Sequence, residues 1–330
     1  MNDPLSKGLA ALLVCLTCAP AASALDVKRA EVRAFIEETS RDLGFTRAQL
    51  ESLLAQAETK QAILDAISRP AERVVPWYEY RERFLTEKRI LQGTDFWIAH
   101  TEALRRIPDP NVAASVVGIL GVETSFGRIT GRYRVIDALA TLAFDYPPRS
   151  EFFRGELQQF LLLSREESID PRTALGSYAG AMGAPQFISS SYRNVAIDGD
   201  GNGKRDLWNS WDDVIGSVAN YLLVYGWREG EPVVVTAAFD SNDLSRFNTT
   251  KLELNETVQS LRDKGVRFET TLPADAPALL VVAQGKDGPV YRVGFNNFYA
   301  LTRYNRSPMY AMAVHDLGHA VVNFMRDAAR

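Results

Sequence analysis

The stretch 117–131 contains one carboxylate, Glu123, at the end of a segment that is otherwise apolar. The segment begins after Asp109-Pro110, where aspartate can cap a helix and proline suits the first helical position. Apolar residues then recur at spacings of three and four up to Glu123: Val112, Val116, Ile119 and Leu120. This spacing predicts a helix whose buried face includes the carboxylate.

A carboxylate on a buried helix face has a shifted ionisation equilibrium. Burial disfavours the charged form, and the negative end of the helix dipole disfavours it further, so we expect the pKa of Glu123 to be raised. A carboxyl group that stays protonated near neutral pH can act as a general acid. The alternative is that Glu123 lies at the rim of a solvated helix end, capped by a turn at Gly127.

The composition limits the classes of protein to which the chain can belong. It has 330 residues, of which 46% are hydrophobic and 24% charged, as is typical of folded, water-soluble proteins of about two domains. Its formal net charge of -4 argues against sequence-independent binding to nucleic acid. We therefore expect no nucleic-acid partner.

Residues 1–24 have the features of a secretory signal peptide. Lys7 precedes an apolar segment over 9–19, and Ala22-Ser23-Ala24 provides a cleavage site before Leu25. The apolar segment is too short to span a bilayer. The sequence therefore predicts an exported protein.

The two cysteines, Cys15 and Cys18, both fall inside this segment. Cleavage before Leu25 would leave a chain with neither a disulfide framework nor a thiol nucleophile. Cys18 leaves a second interpretation open, because lipoprotein signals also end at a cysteine, and lipidation there would anchor the chain to a membrane.

Four regions follow the predicted signal peptide. Residues 25–107 show helical spacing and predict an N-terminal helical domain, and residues 108–230 add helices separated by loops rich in glycine and polar residues. Residues 231–303 predict a small β subdomain, and residues 304–330 return to helical spacing. In the β region the expected strands cover 233–235, 279–282, 290–293 and 298–304, with a helix over 254–264.

The segment from Asp198 to Asp206 matches the first half of an EF-hand loop. Oxygen-bearing residues alternate with glycines there, as in Asp-Gly-Asp-Gly-Asn-Gly, which is a pattern typical of a Ca²⁺ site. The twelfth position is Asn209 instead of glutamate, so the closing ligand must come from elsewhere, and Asp212 and Asp213 are both within reach. A surface turn without metal is the alternative.

Two other segments resemble known motifs, but each lacks a residue that its motif requires. Gly203-Lys204 is followed by arginine where a phosphate-binding loop requires serine or threonine. His315 and His319 have the spacing of a zinc peptidase helix, but the glutamate base of that motif is absent. We interpret these two as ordinary helix histidines.

A glycine-rich loop over 176–187 offers both small residues and hydrogen-bonding groups. The small residues allow a backbone to approach a ligand closely, and Ser177, Tyr178 and Gln186 could bind acetamido and hydroxyl groups. Taken alone, the loop could equally serve tight helix packing.

Together these segments closely resemble the membrane-bound lytic transglycosylase B family, whose members cleave the glycan strands of bacterial peptidoglycan. The motifs occur in the family's order, at 76–81, 118–128, 137–163, 176–192, 198–227 and 297–318. The resemblance implies an α+β fold that is predominantly helical. Its parts would be a lysozyme-like catalytic core, an N-terminal helical domain and a small β subdomain.

The resemblance also assigns roles by position. Glu123 corresponds to the catalytic acid/base, and Ser177 and Gln186 correspond to residues that hold the substrate beside it. The residues at positions that line the glycan groove are Tyr78, Arg149, Phe187, Tyr221, Tyr304, Asn305 and Tyr310. The calcium ligands implied are Asp198, Asp200, Asn202, Lys204 through its carbonyl, and Asp213.

This chain departs from the family's pattern at two places. One extra residue lies between Trp208 and Asp213, which leaves Asp212 open as the ligand. Ala184-Pro185 alters the turn that leads to Gln186. Neither departure involves the acid.

The implied activity is non-hydrolytic cleavage of the bond between N-acetylmuramic acid and N-acetylglucosamine, with a 1,6-anhydromuramyl product and no second carboxylate. The alternatives are a muramidase that hydrolyses the same bond and a non-catalytic peptidoglycan-binding scaffold. The predicted signal peptide implies a periplasmic location, and the resemblance implies a monomer with structural Ca²⁺ and no organic cofactor that acts on glycan strands. Outer-membrane attachment through Cys18 and partners in cell-wall synthesis or remodelling complexes remain open.

Overall fold

A computed structural model of the protein describes residues 23–69, 75–241, 243–249, 251–328 and 330. Its α-helices are α1 (Ala30–Leu43), α2 (Arg47–Leu54), α3 (Gln61–Ser68), α4 (Trp77–Glu82), α5 (Glu87–Ala99), α6 (Thr101–Arg105), α7 (Pro110–Thr124), α8 (Val135–Asp145), α9 (Ser150–Glu166), α10 (Ser189–Val195), α11 (Trp211–Val224), α12 (Val258–Asp263), α13 (Asn296–Tyr304) and α14 (Pro308–Ala328). Its strands are β1 (Ser23–Ala24), β2 (Glu58–Thr59), β3 (Tyr133–Arg134), β4 (Leu175–Gly176), β5 (Val234–Ala237), β6 (Glu256–Thr257), β7 (Pro277–Gln284) and β8 (Pro289–Gly294). A 3-10 turn covers Pro147–Arg149. The predominantly helical α+β class is confirmed.

The predicted signal peptide lies outside the described residues except for its last two, and so do Cys15 and Cys18. Ser23 and Ala24 form β1, which pairs antiparallel with β2. Leu25, the residue after the predicted cleavage site, is buried in the core. The signal peptide stays a prediction.

Helices α7 and α14 cross at an unusually short distance because each contributes a glycine. A Cβ atom on Gly118 would lie 2.1 Å from the carbonyl oxygen of Val314, and a Cβ on Gly318 would lie 2.1 Å from that of Ala114. No side chain fits into either gap, so the two backbones pack directly against each other. This contact places the first turn of α14 beside the last turn of α7.

The sheet in the C-terminal half has the order β5-β8-β7-β6, with antiparallel neighbours throughout. Three of the predicted strands, at 233–235, 279–282 and 290–293, correspond to β5, β7 and β8. Arg292 of β8 forms two hydrogen bonds, of 2.6 and 2.8 Å, to the carboxylate of Asp316 on α14. The sheet is thereby tied to the helical part of the molecule.

The strand predicted over 298–304 is wrong, because this segment is helix α13. Its aromatic and β-branched content favoured a strand, but Phe298, Leu301 and Thr302 are fully buried at the spacing of one helix face. The helix predicted over 254–264 is shorter than expected. It begins at Val258 after strand β6 and ends, as expected, before a left-handed glycine, Gly265, with φ +90°.

One large hydrophobic core extends from Leu25 to Val321 and includes side chains of α1, α7, α8, α14 and β7. A second, smaller cluster lies under the sheet and includes Phe239, Phe268 and Phe295. The domain limits given above stay a prediction. Within the described residues, no helix combines the length and the apolar character needed to cross a bilayer.

Candidate active site

Helix α7 begins as the sequence predicts. Asp109 caps it, with one carboxylate oxygen accepting from the Asn111 amide at 2.8 Å, and the other accepts from Trp227 Nε1 at 2.9 Å. Almost every residue before Glu123 is buried. The strong burial is consistent with the role of α7 as the central helix of the core.

The chain turns sharply directly after Glu123 and Thr124. Ser125, Phe126 and Gly127 all have left-handed backbones, with φ of 54°, 60° and 77°. Two consecutive non-glycine residues in this region store backbone strain, which is common at functional sites. The turn leaves the side chain of Glu123 half-buried at the end of the helix.

The carboxylate of Glu123 receives a hydrogen bond from the buried phenol of Tyr310, with 2.7 Å between Tyr310 Oη and Glu123 Oε1. Burial raises the pKa of Glu123 to about 7, and the hydrogen bond from Tyr310 opposes this shift. Burial also raises the pKa of Tyr310 well above its ordinary value, so the phenol remains a donor. The raised pKa expected for Glu123 therefore has the expected cause, desolvation.

Three more aromatic residues continue from Tyr310. Tyr304 stacks on Tyr310 with ring centroids 6.4 Å apart, and it also packs against Tyr221 at 4.6 Å and Phe187 at 5.8 Å. The phenol of Tyr304 donates to the carbonyl of Pro185 at 2.6 Å. Four of the predicted groove residues therefore form one aromatic cluster beside Glu123.

The loop over 176–187 is attached to the end of α7. Thr124 Oγ1 donates to the Ala184 carbonyl at 2.8 Å, while it accepts from the Gly127 amide at 3.0 Å. Gln186 has a left-handed backbone with φ 54°, and its Nε2 donates to the carbonyls of Thr130 at 3.0 Å and Gly183 at 2.9 Å. Gln186 is thus placed between its own loop and the turn that follows Glu123.

Ser177 lies at the other end of this loop. Its Oγ accepts hydrogen bonds from the amides of Ala179 at 3.2 Å and Ala181 at 3.1 Å. Beside it, Gly131 approaches so closely that a Cβ atom would lie 2.1 Å from the backbone of Gly176. A glycine is required there, since φ is also positive at +102°.

Among the described residues, no hydrogen bond or ring contact links the remaining predicted groove residues to Glu123. Tyr78 is on α4, which packs against α14, but its phenol donates to Glu79 at 3.2 Å. Arg149 is exposed and lies over the ring of Phe152, at 4.3 Å from the centroid. Asn305 is exposed at the end of α13.

Sequence reasoning missed two side chains at this site. Thr124 links the acid's helix to the 176–187 loop, and only its position next to Glu123 could have suggested a role. Arg89 of α5 donates to the carbonyl of Gly121 near the end of α7, where helix carbonyls lack intrahelical partners. Burial, followed by the charge of Arg128, lowers the pKa of Arg89. Neither contact has a signature in a single sequence.

The loop beginning at Asp198 folds around its own carboxylates. Oxygen atoms of Asp198, Asp200 and Asp213 lie within 4.8 Å of one another. Asp213 is fully buried and accepts from the amides of Gly199 and Asp206, each at 2.7 Å. Hard oxygen donors in this arrangement suit Ca²⁺.

The structure distinguishes the two aspartates that the sequence left open. Asp212 is turned away from the loop, and its carboxylate pairs with Arg106. Asp213 is the one that joins Asp198 and Asp200.

Known transglycosylases resemble this chain in sequence. The family model described as "Transglycosylase SLT domain" matches residues 28–319 of this chain. The chain belongs to the transglycosylase SLT domain family. It is also 40% identical over 302 residues, covering 87% of this chain and 81% of the relative, to the membrane-bound lytic murein transglycosylase B of Escherichia coli strain K12. The chain is therefore a lytic transglycosylase with the lysozyme-like fold of this family.

Solved transglycosylase structures share the fold. The catenated lytic transglycosylase SltB1 of Pseudomonas aeruginosa matches with a TM-score of 0.86 and 48% identity, covering 89% of this chain and 97% of that one. The Escherichia coli lytic transglycosylase Slt35, solved in complex with calcium, matches with a TM-score of 0.79 and 37% identity over 91% and 96% of the two chains. SltB3 of Pseudomonas aeruginosa, in complex with NAG-anhNAM-pentapeptide, matches with a TM-score of 0.75 and 30% identity over 87% and 77%.

Proposed function

We propose that Glu123 is the catalytic acid and base of this lytic transglycosylase and that it cleaves murein between N-acetylmuramic acid and N-acetylglucosamine without water. The single observation that carries the proposal is the desolvated position of the Glu123 carboxyl at the end of α7, in contact with the buried phenol of Tyr310. Burial raises the pKa of Glu123 to about 7, so the group is protonated in a large part of the population at neutral pH. This is the state that a general acid requires.

The other support is the set of groups that contact Glu123. Among the described residues its carboxylate is hydrogen-bonded to Tyr310, and no second carboxylate forms a hydrogen bond or raises its pKa by charge. Glycosidases that use a nucleophile or an activated water need two carboxyl groups about 5 to 10 Å apart. An acid without a coupled carboxylate among the described residues fits a reaction in which the substrate supplies the attacking group.

The reaction then proceeds in two proton transfers. Protonated Glu123 donates its proton to the glycosidic oxygen, the bond to the muramyl anomeric carbon breaks, and the 2-acetamido carbonyl supports the positive charge that develops there. Ionised Glu123 next accepts the proton of the muramyl 6-hydroxyl, whose oxygen bonds to the same anomeric carbon. The products are a free N-acetylglucosamine end and a 1,6-anhydromuramyl end, and Glu123 is protonated again.

The residues around Glu123 have the chemistry for holding a glycan. Tyr304 is half-buried and supplies ring surface against which a sugar ring can pack, and the buried rings of Tyr221 and Phe187 support it from behind. The amide of Gln186 and the hydroxyl of Ser177 are suited to acetamido and hydroxyl groups. We assign Tyr310 to positioning Glu123, and Tyr78, Arg149 and Asn305 to more distant parts of the groove. The SltB3 structure, with NAG-anhNAM-pentapeptide bound, supports a substrate of this class.

The test is the chemical form of the cleaved ends. Purified murein is digested with wild-type protein and with Glu123→Gln, and the fragments are weighed by mass spectrometry. We expect anhydromuramyl ends from the wild type and at least a hundredfold slower release from the variant, since general acids contribute about 10²- to 10⁴-fold. Reducing ends, heavier by one water, would identify a muramidase, and binding without cleavage would identify a scaffold.

Calcium has a structural role in this proposal. The ligands assigned are the carboxylates of Asp198, Asp200 and Asp213, the side-chain oxygen of Asn202 and the backbone carbonyl of Lys204. Support comes from the clustered oxygens and from the relative Slt35, which was solved in complex with calcium. The ion would fix the loop to α11 and take no part in bond cleavage, and no organic cofactor is needed.

The protein is proposed to act as a monomer in the periplasm, after export by the segment 1–24. Attachment to the outer membrane through Cys18 is the alternative, and the relative from Escherichia coli is named as membrane-bound. The proposed domains are those given by the sequence: 25–107, 108–230, 231–303 and 304–330. Cell-wall synthesis or remodelling complexes are the proposed partners.

A further inference from the structure

A cavity of about 350 Å³ lies beside the C-terminal end of α13. Three of the side chains that line it are cations, Lys251, Arg303 and Arg306, and the others are Leu252, Glu253 and Tyr299. We call this the Arg303 cavity. The concentration of positive charge is notable in a chain whose formal net charge is -4.

The guanidinium of Arg303 is held in place but not neutralised. Its central carbon lies 4.4 Å from the centroid of the Tyr299 ring, a cation–π contact. Its Nε is buried, with no hydrogen-bond acceptor among the described residues. Within that same part of the chain neither Arg303 nor Arg306 forms an ion pair, although Glu253 lines the cavity as well. Arg303 is half-buried and Arg306 is exposed, so an anion from solution can reach both guanidinium groups.

The Arg303 cavity adjoins the aromatic cluster of the active site. The carbonyl of Arg303 accepts a hydrogen bond from the phenol of Tyr221 at 2.8 Å. The next residue, Tyr304, packs against Phe187 and Tyr221 and stacks on Tyr310. The segment 299–306 therefore lines the cavity with Tyr299, Arg303 and Arg306, and it contributes Tyr304 to the aromatic cluster.

We propose that the Arg303 cavity is a subsite for a carboxylate of murein, an inference that rests on the proposed function. Guanidinium groups bind carboxylates through paired, charge-assisted hydrogen bonds, which is the strongest recognition this cavity can offer. Murein presents two kinds of carboxylate, those of its short peptides and, where a peptide has been removed, the lactyl carboxylate of muramic acid. Both can extend sideways from a glycan chain that occupies the neighbouring site.

The experiment compares three forms of purified glycan chains: with intact peptides, with the peptide carboxyl groups converted to amides, and with the peptides removed by an amidase. The kcat/KM of each is measured for the wild type and for Arg303→Gln and Arg306→Gln. Arg33→Gln is the matched control, since Arg33 is an exposed arginine on α1, far along the chain from this cavity. Thermal melts followed by circular dichroism verify folding, and the exposed Arg306 provides a variant that leaves the core untouched.

We expect the wild type and Arg33→Gln to prefer chains with a free carboxylate, either intact or peptide-free, over amidated chains by about tenfold, the contribution of one charge-assisted hydrogen bond. The two cavity variants should lose this preference through a higher KM at unchanged kcat. If the preferred chains are the intact ones, the peptide carboxylate is the ligand, and if they are the peptide-free ones, the lactyl carboxylate is, because intact and amidated chains both lack a free lactyl carboxylate. The proposal is overturned if both variants keep the wild-type preference, or if the wild type has none. The type of end released tests the proposed function separately, so either can fail alone.

Discussion

Tyr310 donates a hydrogen bond of 2.7 Å to Glu123, a residue 187 positions earlier in the chain. The contact exists because α14 packs against α7 through two glycines. This packing brings the first turn of α14 to the C-terminal end of α7. The phenol favours the ionised carboxylate, while burial favours the protonated one and is the larger effect. Glu123 is thus held between its two protonation states near neutral pH.

Replacing Tyr310 with phenylalanine should move the pH profile of cleavage. The acid must be protonated at the start, so kcat/KM of the wild type should fall as the pH rises through about 7. Without the phenol the carboxylate loses its donor, so the pKa of Glu123 rises and the alkaline limb should shift upward by about 0.5 to 1 pH unit. Rates of murein solubilisation from pH 4 to 9 measure this. Tyr291→Phe, at a buried tyrosine of the sheet, is the control, and an unmoved or lowered limb in Tyr310→Phe would contradict the prediction.

Glu123→Gln should stabilise the fold at alkaline pH while it abolishes activity. The pKa of Glu123 in the folded chain is about 7, above its ordinary value of 4.5. The wild type is therefore at full stability below pH 4.5 and loses stability as the pH rises through 7. Because glutamine does not ionise, the variant should exceed the wild type by about 2 kcal/mol in free energy of unfolding at pH 8.

Urea denaturation at pH 4 and pH 8 tests this linkage. The difference between the variant and the wild type should shrink toward zero at the lower pH. The exposed Glu102 of α6 provides the control substitution, Glu102→Gln, whose effect should not grow with pH in this way. Equal stabilities of wild type and Glu123→Gln at pH 8 would rule out a raised pKa of Glu123 in the folded chain.

Calcium should raise the melting temperature, because a ligand that binds only the folded state stabilises it. With an affinity at the weak end of the EF-hand range, 10 mM Ca²⁺ should raise Tm by about 3 to 8 °C. Asp213→Asn should remove this increase, since Asp213 joins the carboxylate cluster. Asp212→Asn should keep it, since Asp212 pairs with Arg106 instead. Differential scanning calorimetry with and without Ca²⁺ measures this increase in Tm for each variant. If only Asp212→Asn lost the increase, Asp212 and not Asp213 would be the ligand.

The close crossing of α7 and α14 can be tested by comparing two glycine-to-alanine substitutions, one at the crossing and one away from it, which should change the free energy of unfolding in opposite directions. Gly118→Ala would place a methyl group 2.1 Å from the Val314 carbonyl and should cost about 2 to 3 kcal/mol of unfolding free energy. It should also weaken cleavage, since α14 carries Tyr310. Gly155→Ala on α9 meets nothing within 4 Å and should stabilise the protein by about 0.5 to 1 kcal/mol. Denaturant curves and activity of both variants give the comparison, and a neutral Gly118→Ala would show that the helices can separate without cost.

Local patterns predicted much of the helical part correctly. Asp109-Pro110 starts α7, the periodic residues after it are buried, and the Asp198 loop collects its carboxylates as the spacing indicated. These features depend on neighbours within one or two turns of the chain. The segment 298–304 failed for the opposite reason, since its composition favours a strand and only its burial against the core makes it a helix.

The sequence by itself determined that Glu123 ends an apolar helix and that its pKa should rise. Only the tertiary structure decided which phenol would contact the carboxylate, which aspartate would join the carboxylates of the Asp198 loop, and that two arginines without an ion pair among the described residues would line a cavity beside the site. The physical reason is that hydrogen bonds and desolvation act over a few ångströms in space, whereas Tyr310 and Glu123 are 187 positions apart along the chain. Their meeting depends on the packing of α7 against α14, which no local pattern encodes.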